Sequence, residues 1–151
     1  MRVTHLASAA VIVSHKDTKI LTDPWLIGEE YYGAWTHYPP IDIDFKEFDD
    51  VDYIYISHIH PDHMSKETLD KINPDIPVLI HNYNAKFVKT NLEKWGRKVI
   101  ELNHGEKFDC GDIIDQKPIE IKYPIKLQKA IDKIAQCYVQ LVSNIVNKIK
   151  S

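Results

Sequence analysis

The chain has 151 residues, 44% of them hydrophobic and 27% charged, with a formal net charge of −3. That is the length of one domain, and it is too apolar for a disordered chain. A net charge near zero gives no global reason to expect a nucleic-acid partner. Cys110 and Cys137 are its two cysteines, which excludes a disulfide framework and fits a reducing, cytoplasmic compartment. The apolar run Leu6–Val13 is too short to span a bilayer and is broken by Ser8. With Arg2 alone before it and no cleavage pattern after it, it does not read as a signal peptide, and no membrane partner is expected.

Charge is unevenly spread. Residues 117–151 hold seven Lys against Glu120 and Asp132, a local net of +5, so residues 1–116 carry −8. All Gly and all Trp lie at or before Gly111. This shift places a boundary between a domain over 1–116 and a basic tail over 117–151. There is no internal repeat and no low-complexity tract.

Val3–Leu6 and Ala9–Val13 read as strands, being rich in β-branched and small apolar residues. His15–Thr18 suits a turn, and Lys19–Asp23 returns as a third strand closed by Pro24. Residues 25–50 form a long connection holding Trp25, Tyr31, Tyr32, Trp35 and Tyr38. A connection of that length inside one domain is usually functional or wraps the core. Its aromatic residues suit either a sugar or nucleotide pocket or a loop buried against the sheet.

Tyr53–Ser57 is the strongest strand, an unbroken aromatic and β-branched run that predicts burial on both faces. Ser65 suits the N-cap of a short helix reaching about Ile72. Pro77–His81 reads as a strand. Asn84 is the expected cap of a helix with Val88, Leu92 and Trp95 on one face, ended by Gly96. Lys98–Leu102 and Lys107–Cys110 read as strands around a turn at Gly105. The order is that of a mixed α/β (α+β) domain. In the tail, Leu127, Ile131, Ile134, Tyr138, Leu141 and Ile145 are spaced alternately four and three apart, an apolar heptad seam. It predicts an amphipathic C-terminal helix over 126–150 that packs on the domain or on a partner; its flanking Lys also suit a membrane surface.

The chemical signal is the segment after the strongest strand, His58-Ile59-His60-Pro61-Asp62-His63. With this composition, the pattern of three His and one Asp arises by chance on the order of one time in five hundred. Neutral imidazole and carboxylate are the usual ligands of zinc and of iron or manganese. A tight turn at a strand's end lets several such side chains converge, and Pro61 stiffens that turn. The plain alternative is a set of solvated surface His with Asp62 capping a helix. Elsewhere the chain lacks the Gly-x-Ser-x-Gly elbow of a serine hydrolase and any Gly-rich phosphate loop.

These residues resemble the signature of the metallo-β-lactamase superfamily, whose fold is an αββα sandwich with a metal centre at one sheet edge. Ile20-Leu21-Thr22-Asp23-Pro24-Trp25-Leu26-Ile27-Gly28, Tyr38-Pro39-Pro40 and Asp52-Tyr53-Ile54-Tyr55-Ile56-Ser57-His58 are similar to a subgroup that includes the lactamase-like domain of CMP-N-acetylneuraminate hydroxylases. The resemblance runs from about Val3 to Asp112. It implies that His58 and His60 ligate a first metal, that Asp62 and His63 belong to a second, and that Asp23 supports them from behind. It further implies a water between the ions as nucleophile, with Asp62 the carboxylate assigned to catalysis, and one or two Zn²⁺ ions, with Fe or Mn as options.

The superfamily completes its metal sites with later His and Asp ligands, whereas the last His here is His104. His81 is a strand-end candidate, and Asp112 and Asp115 fall early for a bridging ligand. The resemblance thus covers the first half of the fold. Three accounts compete: a truncated or frameshifted reading frame, a chain completed by a second polypeptide, or a degenerate homologue binding one metal weakly. Half of a two-sheet core leaves an apolar face, so a homo-oligomer or a second chain is an expected partner. Neither Cys pairs with a nearby His as an iron–sulfur centre would need. The expectation is a metal-dependent hydrolase of a small-molecule ester, lactone, phosphodiester or sugar-nucleotide-related substrate; the alternative is a non-catalytic metal-binding or interaction module.

Overall fold

The computed structural model of the chain describes residues 1–105 and Phe108. Two compact units divide the chain, residues 1–104 with 108–113 and residues 105–107 with 114–151. The first holds every element below: β1 (Arg2–Ala7), β2 (Ala10–His15), β3 (Thr18–Thr22), β4 (Tyr53–Ile56), β5 (Val78–His81) and β6 (Val99–Leu102), with α1 (Lys66–Leu69) and α2 (Phe87–Lys94). The expected strand Lys107–Cys110 (Phe108 apart), the tail helix over 126–150, and Cys110, Asp112, Asp115 and Cys137 lie outside the described residues. No described helix is long and apolar enough to cross a membrane.

All six strands form one sheet in sequence order. β1, β2 and β3 are antiparallel, joined by turns too short for any other pairing. From β3 onward the pairing is parallel: Leu21 sits opposite Ile54, Ile54 opposite Val78, and Val78 opposite Val99. The four parallel strands therefore end at one edge of the sheet, and the connections leaving that edge carry the long aromatic segment and the histidine turn. In open α/β sheets such carboxyl ends are where ligands bind.

The register assigns each side chain to a face. Leu21, Ile54, Ile56, Val78 and Ile80 point into the core, where they meet Leu26, Phe48, Leu69, Val88 and Leu92. Val13, Ile20, Tyr53, Tyr55, Leu79 and Ile100 lie on the opposite face. Burial along β4 alternates, with Ile54 and Ile56 fully buried and Tyr53 and Tyr55 half-buried, so the expected burial on both faces is complete on one and partial on the other. Its unbroken apolar run conceals a period-2 pattern because Tyr is both apolar and tolerant of a partly wet surface. Tyr53 meets the edge of Phe108 at 5.5 Å between ring centroids.

The helices differ from expectation at their ends. Ser65 caps α1 as anticipated, accepting from the Thr68 N–H at 3.4 Å, but the α-helix is one turn long and Asp70–Ile72 continue as turn. Asn84 does not cap α2; the helix starts at Phe87 after a bend, with Lys86 at its N-cap and no side-chain cap bond. Val88 and Leu92 are buried and Trp95 packs against the core, as the spacing requires. Arg97, beyond the helix, is buried and donates to the carbonyls of Ile72 (3.0 Å) and Ile76 (3.4 Å), fastening the α1 connection to α2.

Candidate metal centre

β4 delivers the chain to Ser57 at the carboxyl edge of the sheet, and the next six residues fold back in a tight turn. The His63 and Met64 N–H groups both donate to the His60 carbonyl at 2.9 Å, which satisfies the turn's backbone internally. His58, His60 and His63 therefore sit on one bend without needing helical spacing. Their rings cluster, His58 lying 4.0 Å from His63 and 4.6 Å from His60 between centroids.

Asp23 supports this bend from β3. Its backbone is left-handed (φ 42°), a conformation that Asp tolerates better than most residues, and its N–H donates to the Tyr55 carbonyl at 2.8 Å. The residue is 8% exposed. One carboxylate oxygen accepts from the Ser57 N–H at 2.7 Å and the other faces His63 Nδ1 at 3.1 Å.

The remaining donors meet in two pairs. His58 Nε2 is 3.0 Å from His60 Nδ1, and His63 Nε2 is 3.3 Å from an Asp62 carboxylate oxygen. Ligand atoms about 2.0–2.1 Å from a tetrahedral Zn²⁺ stand about 3.3 Å apart, so both pairs have close to the spacing of a coordination edge. His63 also has a carboxylate at each ring nitrogen. A neutral imidazole carries one N–H and can donate to one of them; the other contact opposes two lone pairs, which a shared cation would relieve. Among the described residues no three His, Cys, Asp or Glu side chains already surround one point. The rings meet edge-on or tilted, His58 with His60 at 70° and with His63 at 47° between planes, and joining the two pairs around an ion requires side-chain rotation. By donor chemistry and pair spacing, the residues fit a divalent metal.

Electrostatics favour the ligand forms. Burial, helped by neighbouring His63 and His60, lowers the His58 pKa and keeps the ring neutral. Burial alone would raise the Asp62 carboxyl, but the Tyr31 hydroxyl, the Asp62 N–H and the nearby imidazoles outweigh it and hold the group below its ordinary value. Tyr31 Oη donates to Asp62 at 2.6 Å, and its phenol is pushed up to about 12 chiefly by that bond.

Three contacts here are absent from the sequence reading. Tyr31 reaches Asp62 across 31 residues of chain. The Ser57 hydroxyl lies 2.8 Å from His58 Nδ1, so that Nε2 is the ring nitrogen turned toward His60. Tyr83 donates its hydroxyl to the Ser57 carbonyl. Tyr31 and Tyr83 had no local signal, since a phenol's partner depends on the tertiary fold. His81, considered as a further ligand, packs with Tyr83 (4.8 Å) and His104 (6.2 Å) instead. A shallow concavity lined by Arg2, Thr4, Ile12, Lys19 and Asp50 lies away from the bend and contains the Lys19–Asp50 ion pair.

A family model described as a beta-lactamase superfamily domain matches residues 2–124. With the mixed sheet and the bend at its carboxyl edge, this places the chain in the metallo-β-lactamase superfamily, and it carries part of that fold. Within it, the chain is 35% identical over 98 residues to a putative Rieske 2Fe-2S iron–sulfur protein of Mycolicibacterium smegmatis, covering 64% of this chain and 19% of that protein. It is likewise 35% identical over 108 residues to the inactive human cytidine monophosphate-N-acetylneuraminic acid hydroxylase, covering 68% and 21%. The chain thus spans about a fifth of the length of these relatives. Among solved structures it resembles an isothiocyanate hydrolase from Delia radicum gut bacteria (TM-score 0.59, 18% identity, 72% of this chain and 43% of that one). It also resembles a possible metal-dependent hydrolase from Veillonella parvula (TM-score 0.57, 20% identity, 71% and 43%). At these identities the likeness is one of fold.

Proposed function

We propose that the chain acts as a metal-dependent hydrolase whose metal is Zn²⁺, held by His58, His60, Asp62 and His63 and supported by Asp23. The observation that carries this reading is the pairing of donors: His58 with His60 at 3.0 Å and His63 with Asp62 at 3.3 Å, on one bend at the sheet's carboxyl edge. A bound divalent cation supplies a Lewis acid and lowers the pKa of coordinated water toward neutrality. The chain's own residues set up that chemistry. Ser57 occupies Nδ1 of His58 and Asp23 occupies Nδ1 of His63, so both rings present Nε2. Tyr31 holds Asp62 by one oxygen and keeps it ionised, ready to bind metal or to take a proton from the attacking water.

The substrate class is a small ester, lactone, phosphodiester or sugar-nucleotide-related compound, the last because the matched relatives include hydroxylases of a cytidine monophosphate sugar. A second copy or another chain that completes the fold is proposed as a partner, since the chain covers 43% of its structural neighbours. A second reading, a non-catalytic metal-binding module, is favoured by the chain's covering 43% of its structural neighbours. Metal stoichiometry and turnover separate the two. Two zinc ions per chain, with hydrolysis of bis(p-nitrophenyl) phosphate or p-nitrophenyl acetate that His60→Ala abolishes, support the enzyme. One weakly held ion without turnover supports the module, and no bound metal contradicts both.

A further inference from the structure

Between β3 and the 3-10 turn at Phe45–Phe48 the chain throws out an arm over residues 28–38. Its construction is costly for what it buries. Tyr31 (φ 54°), Tyr32 (φ 59°) and Gly33 (φ 81°) are three successive left-handed residues, two of them bulky. Strain of this kind persists where surrounding contacts enforce it, and it clusters at functional sites. Here the contacts are explicit. At the base, His37 stacks on Trp25 at 4.0 Å between centroids, and its Nε2 meets the Trp25 carbonyl at 3.1 Å. Gly28 is left-handed (φ 79°), a conformation that glycine adopts without a Cβ penalty, and it lets the arm leave the core along this line. Midway, Glu30 and Trp35 exchange backbone hydrogen bonds at 3.0 and 3.1 Å. At the tip, Tyr31 packs its ring on Trp35 (4.9 Å) and donates to Asp62.

The braced arm nevertheless leaves its large rings in water. Tyr32 is 110% exposed and Trp35 52% exposed, and Ile59, between two of the histidines, is also exposed. Rigid aromatic side chains lose little entropy when a ligand covers them, which makes such a surface suited to binding. We propose that this arm is a stacking surface for a ring of the substrate, with Tyr32 and Trp35 as its contacts and Tyr31 fixing its distance from the bend. The ligand chemistry is a ring with an apolar face, either a pyranose or a nucleobase. Its role toward a substrate rests on the metal-hydrolase reading, but the ring contact itself does not require metal.

Saturation-transfer NMR on the full chain, zinc-free and zinc-loaded, tests this with methyl α-D-glucopyranoside and with adenosine as separate probes. The expected result is transfer to the ring protons of at least one probe in both metal states, and the two probes distinguish sugar from base. In the Tyr32→Ala/Trp35→Ala variant that transfer falls about tenfold, while Trp35→Phe retains most of it. Zinc content of the same samples stays at the wild-type level. No transfer to either probe, or undiminished transfer in the double variant, overturns the proposal. So does a wild-type dimer that the double variant converts to monomer without any probe contact, since the arm would then be a protein interface. Failure of the wild-type chain to take up zinc, with ring contact still present, would sink the metal reading and leave the stacking surface standing.

Discussion

Two aspartates fasten β3 to β4 by the same bonds at opposite ends. Asp52, just before β4, accepts from the Lys19 N–H at 2.7 Å and donates its own N–H to the Lys19 carbonyl at 3.0 Å. Asp23, just after β3, accepts from the Ser57 N–H at 2.7 Å and donates its N–H to the Tyr55 carbonyl at 2.8 Å. Asp52 is exposed, whereas Asp23 is buried and turns its second oxygen to His63 at 3.1 Å. A backbone staple of the same kind, reaching two residues instead of one, thus acquires a further contact at the end where strand carboxyl termini gather. Burial and one left-handed residue make the difference, because they aim the carboxylate across the edge and limit competition from water.

The most severe test of the site end is removal of a ligand. His60→Ala is expected to abolish tight zinc binding by elemental analysis while far-UV circular dichroism stays native. Unchanged zinc would leave the bend as a surface cluster of histidines.

Next in size is the staple itself. Asp23→Ala should weaken zinc about 10–100-fold by competition with a chromophoric chelator, the usual loss when a carboxylate behind a ligating histidine is removed. Asp52→Ala should leave zinc affinity unchanged and cost about 0.5–1.5 kcal/mol in urea unfolding, the ordinary worth of a hydrogen bond. Equal zinc affinities in the two variants would erase the distinction between the ends. Tyr83→Phe, which frees the Ser57 carbonyl, should cost about 1 kcal/mol of stability. Its effect on zinc should be smaller than that of Asp23→Ala.

The smallest effect belongs to neither end. Glu101 on β6 is paired with Lys86 (2.5 Å) and Lys89 (2.8 Å), first by hydrogen bonding and then by charge, which lowers its pKa. A depressed carboxylate contributes stability above its unfolded value, about 4.3, and loses it as pH falls through the folded value. Wild type should therefore be slightly more stable than Glu101→Gln at pH 7, with the difference closing as pH falls below the unfolded value. A difference that grows on acidification would reverse this assignment.

What could be read from the chain was what is local. β4 and the bend after it are a β-branched run meeting a dense set of ligand-type residues, and both signals sit within ten positions. The heptad-like spacing of Val88, Leu92 and Trp95 marked the buried side of α2 for the same reason. What escaped depends on distant partners. Nothing beside Tyr31 announces Asp62, and nothing beside Tyr83 announces the Ser57 carbonyl. Asn84 carried a capping residue's chemistry, yet the bend after β5 started the helix three residues later. The long connection was expected either to line a pocket or to be buried. It divides instead: Trp25 is in the core, while Tyr32 and Tyr38 (94% exposed) face water.

We propose that imidazoles of the bend hold zinc. X-ray absorption at the zinc edge of the loaded, full-length chain tests it most directly. The account predicts two or three imidazole nitrogens at about 2.0–2.1 Å, with oxygen completing the shell. A shell dominated by sulfur from Cys110 or Cys137, or by water alone, would contradict it.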